Sequence, residues 1–211
     1  MDSMEGPGDE GLSLRERKKR ETRQRISDIA TVLIREHGFD AVTVAEIARA
    51  AGVSSMTVFN YFPRKEDLFL DRVPQAADLF AAAVRDRAPG QSPLAALRGL
   101  ALRLLEERHP LGGVGEGFDA FWRIVADSPA LRARAREGVE EVERALAAAL
   151  GAAGAADPAL AAALTMAAYR TVFLASVRRL AAGDPVDEVA RDHRTRLETA
   201  FGALERAGLD G

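Results

Sequence analysis

The chain has 211 residues, 47% hydrophobic and 29% charged, a mix that belongs to a soluble globular protein of about one to one and a half domains with a sizeable core. It has no cysteine and three scattered histidines, His37, His109 and His193, which excludes a disulfide framework, a thiolate metal site and a cysteine nucleophile and speaks against an imidazole metal site. The net charge of −3 argues at first against a polyanionic partner. That number conceals unlike segments: residues 1–13 carry four acids and no base, residues 14–73 twelve bases against nine acids, and residues 74–211 seventeen against nineteen. Seven Lys and Arg between Arg15 and Arg25 face only Glu16 and Glu21, a focused basic patch of the kind that draws in a polyanion, or else an ordinary solvated helix face. Residues 1–13 are expected to form a disordered acidic leader. They contain no apolar core of a signal peptide, and the longest charge-free run, the fourteen residues 50–63, falls short of a membrane span. The expected location is the cytoplasm, with no membrane partner, no metal and no cofactor.

The predicted elements are helices throughout, an all-α protein. The spacing of Ile26, Ile29, Ala30, Leu33 and Ile34 predicts an amphipathic helix over 14–36, stopped by Gly38. Thr43 with Glu46 three residues on reads as a capping box that opens a short helix over 44–51, ended by Gly52. Ser54 caps a second short helix to about residue 61, and Pro63 closes it. A long helix is expected from about 64–67 to 87. Residues 90–93 and 110–117 are loops by their Gly and Pro content, with a helix over 94–108 between them. Further helices are expected at about 117–126, 129–150, 158–182 and 185–207.

Two helices of about eight residues joined through Gly52 and Val53 have the lengths and the tight turn of a helix-turn-helix. Val44, Ile47, Ala48 and Ala51 make the inner face of the first, and Val53, Val58 and Phe62 that of the second. Ser55, Met56, Thr57, Phe59 and Asn60 then face outward or sideways, and exposed Met and Phe beside small polar groups are unusual for a merely solvated helix. Such a surface suits DNA: hydroxyls bond base edges or phosphates, Asn60 suits adenine, and apolar groups meet thymine methyls. The helix N-termini at Ser54 and Ser55, and beside Arg64 and Lys65, offer N–H groups to phosphates.

The residues Thr43, Ile47, Ala48, Ala51, Gly52, Val53, Ser54, Tyr61, Phe62, Lys65, Glu66 and Leu68 stand at the spacings of the DNA-binding domain of TetR-family bacterial transcriptional regulators, which residues 14–72 resemble. The resemblance implies that Thr43, Ser54, Ser55, Met56, Thr57, Phe59, Asn60, Tyr61 and Lys65 lie at or near DNA. Phe59 departs from the Tyr usual there and cannot bond a phosphate; Met56 replaces a small residue and is placed to influence sequence preference. Lys65 at a helix start opposes the helix dipole unless a phosphate faces it. Lys19, Arg20 and Arg23 become either phosphate contacts at the start of the first helix or part of an arm entering the minor groove.

A domain over 14–73 is thus expected to bind DNA, and one over 74–211 to sense and dimerise. One helix-turn-helix contacts few bases, so a homodimer on a palindromic double-stranded operator is expected, formed through the helices at about 158–182 and 185–207. Leu160, Ala163, Leu164, Ala167, Ala168, Thr171, Leu174 and Ala175 form the small-residue face of the first; Val186, Val189, Ala190, Leu197, Ala200, Phe201 and Leu204 the stripe of the second. A small-molecule effector is expected among Phe118, Phe121, Trp122, Met166, Tyr169 and Phe173, with His109, Arg123 and Arg170 as polar anchors, although the same aromatics could be core alone. The function this implies is a transcriptional regulator, a repressor by expectation. The rival is an all-α enzyme with His109 or Glu116 as acid/base, and no catalytic pairing, metal set or phosphate loop supports it.

Overall fold

All regular structure among residues 13–208, which the computed structural model describes, is helical: ten α-helices and a short 3₁₀ turn. The leader expected over 1–13 lies, apart from Ser13, outside the described residues. The chain divides into two units, one reaching Asp71 and one starting at Arg72.

In the first unit, α1 (Leu14–His37) opens on a capping box in which Ser13 Oγ accepts from the Glu16 N–H while the Glu16 carboxylate accepts from Ser13 N–H at 2.9 Å. Arg15 to Arg25 therefore stand on a capped helix, not on an irregular arm. Ile26, Ala30 and Ile34 are fully buried at helical spacing, and α1 packs on α2 (Val44–Ala50) and α4 (Lys65–Phe69). Between them α2 crosses α3 (Ser55–Tyr61). The turn is made by Gly52 at φ 67°, a left-handed conformation glycine adopts without strain, and is closed by Val53 N–H donating to the Ala48 carbonyl at 3.0 Å. Small Ala48 and Ala51 are buried at the crossing beside Ile47, Val58 and Phe62.

The single long helix expected from about 64–67 to 87 is instead two. α4 ends at Leu70, whose ψ of 43° leaves the helix, and α5 (Val73–Arg85) starts anew with Pro74 in its first turn. Pro74 explains the break. Inside a continuous helix it would lack a donor and its ring would strike the Leu70 carbonyl; in a first turn neither matters.

The second unit gathers α5, α6 (Pro93–Glu106), α8 (Pro129–Ala152), α9 (Pro158–Ala181) and α10 (Val186–Arg206) around one core. Ser92, Ser128 and Asp157 cap α6, α8 and α9, each followed by proline in the first turn, where its missing N–H has no helical partner to lose. Phe80, Leu97, Leu146, Met166, Tyr169, Leu197 and Phe201 are buried together. The apolar stripe of α10 was expected at a dimer interface, yet Val189, Leu197 and Phe201 are fully buried within the unit. Oily residues on the last helix fill this protomer's own core, and the exposed positions on α10 include Thr195, Glu198, Thr199 and Ala203.

Two features of this packing carry measurable consequences. A Cβ on Gly112 would sit 2.5 Å from the Leu104 carbonyl oxygen and 2.8 Å from its carbon, and backbone atoms cannot step aside as a side-chain tip can. Gly112→Ala is expected to lift the loop off α6 and cost about 3 kcal/mol, seen as a melting point lowered by roughly 6–12 °C; an unchanged melting curve would show that the loop yields freely.

His193 on α10 is fully buried and shares a 2.8 Å hydrogen bond between its Nδ1 and Ser176 Oγ on α9. Burial pushes its pKa down to about 4, only partly opposed by Asp192, against about 6.5 in an unfolded chain. The unfolded state therefore takes the proton first: His193's contribution is fully present above pH 6.5 and is lost as the pH falls towards 4, by about 3 kcal/mol. Denaturant titrations at pH 7 and pH 4 are expected to show that much less acid sensitivity in His193→Asn than in the wild type.

Candidate nucleic-acid interface

The functional surface of the first unit is built on two helix starts. At α2, Thr43 Oγ1 accepts from the Glu46 N–H at 3.2 Å and donates to the Glu46 carboxylate at 2.8 Å; the hydrogen bonds from Thr43 backbone and hydroxyl hold that carboxyl below its usual range. At α3, Ser54 Oγ accepts from the Thr57 N–H at 3.0 Å and lies 2.9 Å from Thr57 Oγ1. The hydroxyls of Thr43, Ser54 and Thr57 are thus engaged in capping in the free protein.

Beyond the caps, α3 turns Val58 into the core and leaves Met56 70% and Phe59 46% exposed. Asn60 is exposed beside them, and Ser55, Thr57 and Tyr61 are half-buried. These six share one short helix with one inward position. Lys19 and Arg20 are exposed on α1, where their charges help lower the Glu16 pKa after its hydrogen bonds to Ser13.

Two of the expected contacts are engaged elsewhere. Arg23 donates to the Asp71 carbonyl at 3.0 Å and lies 4.6 Å from the centre of the Phe62 ring, so it ties α1 to the end of α4. The Lys65 ammonium donates to the Phe39 carbonyl and sits 4.3 Å from the Phe39 ring centre. That contact resolves its conflict with the helix dipole without any phosphate.

In the second unit the aromatic residues do come together. Phe121, Trp122, Phe173, Tyr169 and Phe80 form a continuous chain of rings, with successive centroids 5.4, 5.3, 6.3 and 5.1 Å apart and mostly edge-to-face, the arrangement ring quadrupoles favour. They stand on α7 (Phe118–Asp127), α9 and α5. Tyr169 OH donates to the Leu111 carbonyl at 2.6 Å, and burial holds its pKa above the usual tyrosine range. Met166 is buried one turn earlier on α9. The loop between the 3₁₀ turn Pro110–Gly112 and α7 lies against the rings: a Cβ on Gly113 would meet Phe173 at 2.6 Å, and one on Gly115 would meet Phe118 at 2.7 Å.

The expected polar anchors are exposed or already bonded. Arg170 is exposed, about 100° round α9 from Tyr169. His109 caps the 3₁₀ turn, its Nδ1 accepting from the Leu111 N–H at 3.1 Å; burial, then the nearby Arg72, lowers its pKa. Glu116 is exposed. Phe80 was not anticipated: its spacing with Ala76 and Val84 marks a core face on α5 but carries no sign of a ring partner on α9.

Residues 26–71 match the family model of bacterial regulatory proteins of the tetR family. The HTH-type transcriptional regulator TcmR of Streptomyces glaucescens is 35% identical over 142 residues, covering 65% of this chain and 62% of that protein. The fatty acid metabolism regulator protein of Bacillus subtilis is 30% identical over 99 residues, covering 45% and 51%. The chain thus matches less than two thirds of the length of these relatives. Among solved structures, SmeT in complex with triclosan, a protein described elsewhere as the repressor of a Stenotrophomonas maltophilia multidrug efflux pump, superposes with a TM-score of 0.57 at 22% identity over 87% of this chain and 91% of that one. That likeness shows the fold. The capped helix pair over residues 43–62 lies within the segment that matches the model, so this part of the chain is similar to bacterial regulatory proteins of the tetR family.

Proposed function

We propose that the protein is a cytoplasmic, dimeric, sequence-specific DNA-binding regulator, a repressor that holds a palindromic operator and releases it when a small molecule binds among the helices of the second unit. The observation that carries this reading is the placement of exposed apolar side chains. Among the described residues six large ones are conspicuously exposed, two of them, Met56 and Phe59, on α3 and two, Leu160 and Leu164, on α9. The first pair accompanies Asn60 on the helix that would enter the major groove, where apolar groups read thymine methyls and Asn reads adenine. The second pair lies with Ala163, Ala167, Thr171 and Leu174 along α9, a helix apolar enough by length and composition to cross a membrane, of which only 44% of the most apolar stretch is buried within the chain. A second copy is the occupant that suits that stripe, and a dimer on DNA would present its two reading heads about one turn, roughly 34–36 Å, apart.

An effector acts only as far as it prefers the form that does not hold DNA. SmeT has been captured with triclosan, and the aromatic chain from Phe121 to Phe80 supports a corresponding small-molecule role for α5, α7 and α9 here. Lys19 and Arg20 supply phosphate contacts in this reading. Replacing both with alanine should weaken binding to operator and random duplex alike and flatten the slope of log K against log salt by about 1.8; an unchanged slope would remove the start of α1 from the interface.

A further inference from the structure

Resting on the reading of the second unit as an effector domain, we propose that the effector is an uncharged, flat aromatic compound carrying a hydrogen-bond acceptor, and that the acceptor is taken by the indole N–H of Trp122. Trp122 stands between Phe121 and Phe173, edge-to-face with both, and its Nε1 is sealed from solvent with no hydrogen-bond partner. Buried donors are seldom left unpaired, and an indole N–H can only donate. Two polar groups beside the rings are engaged: Tyr169 OH with the Leu111 carbonyl, and His109 with the Leu111 N–H through Nδ1 while its Nε2 faces Gln75. What remains for a ligand is ring faces and one donor.

Charge narrows the class further. The arginines on the three ring-bearing helices are exposed or engaged: Arg85, Arg170 and Arg178 are exposed, Arg123 is exposed and paired with Asp119 at 3.3 Å, and Arg179 is paired with Asp184 and Asp192. An anionic ligand would lose its hydration without gaining one of these cations, and the Asp119 carboxylate on α7, already paired with Arg123, offers little to a cationic one. A neutral planar ketone or quinone stacks on the phenyl rings and satisfies the indole together. The route in is the loop that covers the rings, whose Gly113 and Gly115 press on Phe173 and Phe118 and whose fixed point is the bond between Tyr169 and Leu111.

Trp122 is the only tryptophan in the chain, so it reports on itself. The probes are 9-fluorenone, fluorene and 9-fluorenecarboxylate: one flat skeleton with an acceptor, without one, and with a negative charge. Titrated into the full-length wild type, fluorenone is expected to quench tryptophan fluorescence saturably and to bind about tenfold tighter than fluorene, although fluorene is the more hydrophobic; the carboxylate should bind weakest. In a 15N-labelled sample the single indole N–H cross-peak should move downfield with fluorenone and not with fluorene. Trp122→Phe, followed by calorimetry, should bind the two neutral probes equally. Fluorene binding as tightly as fluorenone, the carboxylate binding tightest, or no saturable binding by any probe would each overturn the proposal, and the wild-type ranking decides it even if the variant fails to fold. Operator release is measured separately: fluorenone bound at the indole with the operator still held would contradict the effector reading and leave the chemistry of the site intact.

Discussion

Leu164→Glu combined with Ala167→Glu is expected to turn the protein into a folded monomer and to lower operator affinity by about 10²–10⁴. Leu164 is 39% exposed and Ala167 follows one turn later on the same side of α9, so glutamates there remain solvated in a lone protomer. At a helix-to-helix interface between copies they would bring charges into a dry contact with no partner, which is strongly unfavourable. The affinity loss follows from linkage: a second reading head, already tethered when the first has landed, contributes an effective concentration that a monomer lacks. Sedimentation velocity and anisotropy on the same samples check both halves. A variant that stays dimeric would move the interface off α9, and a monomer that still binds the operator at full strength would remove dimerisation from DNA recognition.

Asn60→Ala is expected to lower affinity for the operator by roughly five- to 150-fold, the value of one bidentate contact to adenine, while binding to random duplex and the melting temperature stay as they are. The side chain is exposed in the free protein, so its loss removes nothing from the core. This signature differs from that of Lys19 and Arg20, whose removal should weaken all DNA alike. It differs also from Thr57, whose hydroxyl lies 2.9 Å from Ser54 Oγ and would have to exchange that contact to reach a base. Competition with operators altered one base pair at a time would locate the adenine; equal losses on operator and random duplex would assign Asn60 to the backbone.

Much of this was legible in the sequence where a local rule and a tertiary requirement agree. Thr43 and Glu46 form the box their spacing announces, Gly52 makes the turn, and Ile47, Ala48, Val58 and Phe62 face inward because the period of a helix leaves them no other side. The break at Leu70 was hidden because Pro74 allows either a kink or a fresh start, and only packing chooses between them. The stripe on α10 was visible as a stripe, but period alone cannot say whether Val189, Leu197 and Phe201 meet the same chain or another copy. Lys65 and Arg23 illustrate the same limit. Their charges suit a phosphate, and only the fold shows Phe39 and Asp71 within reach. The aromatic residues of α7 and α9 could be picked out by type, whereas Phe80 and the unpaired indole N–H depend on three helices meeting.

The pair of short capped helices over residues 43–62 is expected to read a particular DNA sequence. Its most direct test is fluorescence anisotropy at about 0.15 M salt, with a labelled palindrome from the promoter region of the chain's own gene set against random duplex of equal length. The palindrome is expected to bind at least about 10³-fold tighter; equal affinity for the two would mean that these helices read no sequence.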